Sequence, residues 1–163
     1  MKRIVLTLIG LSVIIFELTL SNKFQILGTN LNLLFVYAIA LALNVDTKTD
    51  YTCIVILGFV YDLLISRYFG VNLVILLALT ALARVLIDKL YEEKLWSVVV
   101  ILIISSAIFF TYQFLINQIL FVPQEIAVFP QLLWRNVLTN TVAGILLNAV
   151  LRPISKHIMK NWW

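Results

Sequence analysis

The sequence predicts an all-α membrane protein, a compact bundle of about six transmembrane helices in a single domain over residues 1–163. Three observations carry that prediction. Hydrophobic residues make up 63% of the chain and the mean hydropathy is +1.05. Soluble domains are nearer half apolar, and a small globule leaves too much surface in water to hide the excess. Charged residues make up only 12% of the chain, against about a quarter in soluble domains. Most of them fall in short clusters between apolar runs of roughly 16 to 27 residues, the length of helices that cross a bilayer.

The spans follow in order, with edges expected to shift by a few residues. The first covers about Ile4 to Leu20. Met1-Lys2-Arg3 ahead of it imitates a signal peptide. The run is long for the apolar stretch of a signal, it contains Glu17, and no A-x-A cleavage site follows, so it reads as a retained first helix. The second covers about Ile26 to Leu43, the third Tyr51 to Ser66 and the fourth Phe69 to Ile87. The fifth is the longest, about Leu95 to Phe121, and the sixth runs from about Gln131 to Leu151 before a basic tail. The connections are short, so sequential helices are expected to be antiparallel neighbours, and no loop is large enough to fold into a catalytic domain. Arg67 and Tyr68 nearly fuse the third helix to the fourth.

Lysine and arginine placement sets the expected orientation, because basic residues collect in cytoplasmic loops. With the N-terminus inside, Lys2, Arg3, Lys48, Lys89, Lys94, Arg152, Lys156 and Lys160 face the cytoplasm, against Lys23 and Arg67 outside. An even number of helices then places both termini inside. The same bias accounts for the net charge of +4, and with no basic stripe or RNA-binding motif nothing points to nucleic acid. The single cysteine, Cys53, makes neither an intramolecular disulfide nor a metal site.

Polar residues inside a bilayer are costly, so each is a candidate functional position. Glu17, Asn30, Asn32, Asp62, Asn72, Arg135 and Asn136 all fall toward the outer ends of their helices and define one layer. Two acids and an arginine at similar depth suggest an ion pair of Arg135 with Asp62 or Glu17, either a lock on the fold or a contact to a partner or ligand. Arg84, one turn from the cytoplasmic end of the fourth helix, is expected to snorkel to the headgroups. Asn136, Asn140, Gly144 and Asn148 recur every four residues, a small and polar stripe that must face protein, either for packing or for a partner's helix. Gly58 lies one turn before Asp62 on the same face and permits close helix approach.

No catalytic constellation stands out. His157 is the only histidine and lies in the tail, Asp62 is the only intramembrane aspartate, and no nucleophile elbow, zinc-protease or P-loop motif is present. Transport by the chain alone is disfavoured by its size and by the absence of an internal repeat. No cofactor is expected.

The string Gly58-Phe59-Val60-Tyr61-Asp62-Leu63-Leu64, followed after a tight turn by Phe69-Gly70-Val71-Asn72-Leu73, resembles the central motif of the rod shape-determining protein MreD family. Leu147-Asn148-Ala149-Val150-Leu151-Arg152-Pro153 is similar to that family's ending, and length, helix count and short loops match along essentially the whole chain. The resemblance implies a non-enzymatic membrane component of the bacterial elongation machinery in the cytoplasmic membrane. Its partners would be MreC first, with RodA, a class B penicillin-binding protein and the actin-like MreB in the same assembly. The basic positions Lys89, Lys94, Arg152 and Lys156 would contact MreB or anionic lipid. The family's bundle is also similar to the S components of energy-coupling-factor vitamin transporters, which gives the alternative of a vitamin pocket in the outer polar layer. S components typically dock through an A-x-x-x-A pair on helix 1, and helix 1 here has no alanine.

Overall fold

A computed structural model describes residues 2–20, 31–65, 69–90, 95–120 and 125–160. Six α-helices follow one another: α1 (Lys2–Leu20), α2 (Leu33–Asn44), α3 (Thr47–Ile65), α4 (Val71–Lys89), α5 (Leu95–Leu120) and α6 (Phe129–Lys160), with a short 3₁₀ turn at Ile126–Val128 ahead of α6. Among the described residues no strand is present. α4, α5 and the stretch Ile126–Ser155 are each long and apolar enough to cross a membrane.

The helix order in space follows from α2. Its sequence, LLFVYAIALALN, is almost wholly apolar, and such a helix is shielded from water by protein or by lipid. The structure places it at the hub, in contact with each of the other five helices. No residue from Leu34 to Ala42 exposes more than 2% of its surface. Ala38, Ala40 and Ala42 admit neighbours closely, Phe35 stacks on Phe109 of α5 with centroids 4.6 Å apart, and the Tyr37 hydroxyl donates to the Leu6 carbonyl of α1 at 2.6 Å. Around this hub run the pairs α1–α3, α3–α4, α4–α5 and α5–α6. The outer faces are apolar and exposed, among them Ile4, Leu8 and Ile15 on α1, Ile103, Ile104 and Ile108 on α5, and Leu138, Val142 and Leu146 on α6. So much exposed apolar surface is foreign to a soluble monomer and suits hydrocarbon.

Three boundaries depart from the sequence expectation, each for a local reason. α2 starts at Leu33 rather than near Ile26, because the Asn32 side chain accepts from the Phe35 N–H at 2.8 Å and caps it there. Its 12 residues rise about 18 Å at 1.5 Å each, short of the roughly 30 Å of a hydrocarbon core. α3 starts at Thr47 rather than Tyr51, because Asp46 accepts from the Thr49 N–H at 3.0 Å, which draws Asp50 into the first helical turn. Burial pushes the Asp46 carboxyl up, yet hydrogen bonds from Thr49 and the charge of Lys2 outweigh it and hold the group below the usual aspartate range. α6 does not stop at Leu151: it continues through Pro153 to Lys160, so the basic tail is helical. A proline there removes one backbone donor, a loss that a helix with neighbouring turns intact can carry.

Two close approaches set the spacing between helices. At Gly58 an added Cβ would stand 3.2 Å from the Leu73 Cα of α4, and at Gly144 it would stand 2.5 Å from a methyl of Leu102 on α5. At Gly58 the obstacle includes backbone, which cannot rotate away. Gly58→Val is therefore expected to force α3 and α4 apart and to destabilise the protein by about 1–3 kcal/mol, read as a lowered midpoint of unfolding in detergent. An unchanged midpoint would mean the two helices are not held at this distance.

Candidate functional site

The polar groups expected at one level of the bundle include acids on one helix that accept from the N-terminus of the next. The first N–H groups of any helix lack intrahelical partners, and inside a membrane water cannot supply them. Glu17, near the end of α1, accepts from the Leu34 N–H at 2.9 Å and from the Tyr61 hydroxyl at 2.7 Å, and is 5% exposed. It thus joins α1 to the start of α2 and to α3. Asp62, near the end of α3, accepts from the backbone N–H of Gly70 at 3.0 Å, Asn72 at 3.1 Å and Leu73 at 3.0 Å, and from the Asn72 side-chain amide at 3.0 Å. Gly70 has φ 93°, a left-handed conformation that suits glycine and turns its N–H and those after it toward the carboxylate. The Asn72 carbonyl oxygen in turn accepts from the Gln113 amide at 2.7 Å, and the Tyr112 hydroxyl donates to the Val71 carbonyl at 2.9 Å, which ties α5 to the same corner.

Of the layer expected from sequence, Glu17, Asn32, Asp62 and Asn72 are therefore engaged at helix ends within the bundle. Arg135 lies beside Trp134, its guanidinium carbon 5.7 Å from the ring centroid, and Asn136 is buried on α6. Asn30 lies outside the described residues. Along the α6 stripe, the Asn140 amide donates to Asn136 Oδ1 at 2.7 Å, Gly144 packs on Leu102, and Asn148 Oδ1 accepts from the Asn44 amide of α2 at 2.5 Å. The stripe faces α2 and α5. Of the basic positions, Lys89 ends α4 and is exposed, Arg152 is exposed on α6, Lys156 lies on the last turns of α6, and Lys94 is outside the described residues.

Arg84 corrects the sequence reading. It does not snorkel: its Nε and one terminal nitrogen reach Asp50 Oδ2 at 3.3 and 3.1 Å, and that nitrogen also donates to the Val45 carbonyl. The Asp50 side chain is fully buried, and the arginine only 21% exposed. This pair clamps the short α2–α3 connection to α4. The signal was in the sequence. Asp50 and Arg84 stand equally far from Arg67 in sequence on either side, as Asp62 and Asn72 do, so the hairpin of α3 and α4 brings both pairs level. Among the described residues no group of three or more His, Cys, Asp or Glu side chains gathers as a metal site.

Two sets of substitutions test this geometry. Asp62→Ala leaves three backbone donors without their acceptor and is expected to cost roughly 2 kcal/mol or more of stability. Asp62→Asn, which keeps one acceptor oxygen, should lie between it and the parent in thermal unfolding, and equal effects would show that the cap is dispensable. Arg84→Ala strands a buried carboxylate and is expected to cost about 3–5 kcal/mol. The double variant Asp50→Asn/Arg84→Met should recover most of that, and no recovery would refute the pairing.

No curated protein and no solved structure matches this sequence. The family model described as rod shape-determining protein MreD matches residues 1–155. The chain carries helices long and apolar enough to span a membrane and a motif corner built around Asp62, and it belongs to the rod shape-determining protein MreD family.

Proposed function

We propose that the chain is a non-enzymatic scaffold of the bacterial elongation (rod) complex, a multi-pass protein of the cytoplasmic membrane with both termini inside. It helps to maintain cell shape by organising side-wall peptidoglycan synthesis together with MreC. Family membership ties the chain to rod-shape determination. The observation that favours a scaffold is the use made of its intramembrane acids. Glu17 and Asp62 accept from the starts of α2 and α4, so the polar groups best suited to hold a ligand are engaged in holding helices. What the bundle offers to other molecules is its apolar outer surface and its basic positions. A single transmembrane helix such as that of MreC would pack on the former, with RodA and a class B penicillin-binding protein as further neighbours. Lys89, Lys94, Arg152 and Lys156 suit MreB or anionic headgroups, by the same charge attraction.

The test is capture of the tagged chain from native membranes in mild detergent, with mass spectrometry of what accompanies it. MreC together with RodA or a penicillin-binding protein is the expected result. A pair of ABC-type ATPases with a transmembrane coupling subunit would instead replace the scaffold reading with a vitamin-binding one. Neutralising Lys89 and Lys94 should lower the yield of MreB; an unchanged yield would assign those charges to lipid.

A further inference from the structure

The bundle contains polar groups that neither the caps nor the ion pair accounts for. The hydroxyls of Ser105 and Ser106 on α5, the hydroxyl of Thr141 and the Oδ1 of Asn140 on α6 are buried and have no protein hydrogen-bond partner among the described residues. The two serines and Asn140 are 0% exposed and Thr141 is 9% exposed. The packing of Leu102 on Gly144 fixes the register of this antiparallel pair. The same register sets Ser105 across from Thr141 and Ser106 across from Asn140. The four groups thus form one polar patch where α5 meets α6.

Their conformation is distinctive within this protein. Ser12, Thr52, Thr80, Thr111 and Thr139 each return the hydroxyl to a carbonyl of their own helix, at 2.6 to 3.0 Å. That local bond is the usual refuge of a helical hydroxyl in an apolar medium. Ser105, Ser106 and Thr141 do not take it. Burying a polar group without a partner is costly, and four such groups at one contact ask for a shared one. We propose that the α5–α6 seam is a hydration site, in which a small cluster of water molecules bridges Ser105, Ser106, Asn140 and Thr141. The ligand must donate, because Asn140 Oδ1 can only accept, and the rotatable hydroxyls can answer it either as donors or as acceptors. Two to four polar partners are what a buried water requires. All four groups are neutral, so nothing in the patch balances the charge of a metal cation.

The test uses the full chain in lipid bilayers, with solid-state NMR transfer of magnetisation from water to protein. Water signal is expected to reach Ser105, Ser106, Asn140 and Thr141 early, while Leu102 on the same face and Ile39 at the hub stay dark. Transfer to the four that is as slow as to Ile39 would overturn the proposal. Thr141→Val and Ser106→Ala supply an independent check in detergent. Loss of a water bridge lowers the unfolding midpoint by about 2–4 °C for each substitution. An unchanged or raised midpoint, the outcome for removing a hydroxyl that had no partner, would overturn it equally.

Discussion

A helix that begins out of reach of water must find acceptors for its first backbone N–H groups, and the rest of this bundle is arranged around that need. α2 and α4 both begin next to buried acids, Glu17 and Asp62, each placed near the end of the preceding helix. The carboxylate meets two demands together, since it accepts several N–H bonds and lies at the positive end of the helix dipole. The two acids therefore fix where α2 and α4 start, and through them how each hairpin closes. Asp46 repeats the device at the start of α3, nearer to water.

With those starts fixed, the short and wholly apolar α2 can occupy the centre. A helix of 12 residues is short for a hydrocarbon core, and with almost no polar side chain it makes a dry hub when five others surround it. Tyr37 is its one hydroxyl, and it is satisfied by a carbonyl of α1. At the other end of the bundle the Asp50–Arg84 pair fastens the α2–α3 connection as the caps fasten the helix starts, here with charge against charge where water is excluded. Such a pair is weak evidence for added stability, since desolvation opposes the attraction. Its contribution is to geometry, because it holds α4 against the Val45 carbonyl.

This division of labour bears on function. A transporter subunit keeps polar groups available to a substrate, whereas in this family member the buried acids and Asn72 bond to backbone and side chains of the bundle itself. The surface left for other molecules is apolar, with basic groups at its edge, which suits lateral association within a membrane. The α5–α6 contact is a different kind of element, polar inside and packed tightly beside it, and joins the two longest helices of the protein.

The sequence by itself determined the helical class, the number and approximate limits of the helices, and the family. These depend on runs of apolar residues and on the rarity of charge within them, which are properties of composition along the chain. It also placed Glu17, Asp62 and Asn72 at one depth, because depth follows from rise per residue. Only the tertiary structure decided what those residues touch. An acid at a helix end bonds to whichever donors the next helix presents, and that depends on the left-handed Gly70 and the late start of α2, which no hydropathy profile records. Arg84 shows the limit most clearly. One turn from the end of its helix, it had the reach to snorkel into headgroups, and it bonds to Asp50 instead, because folding sets a buried carboxylate within 3.1 Å of its guanidinium.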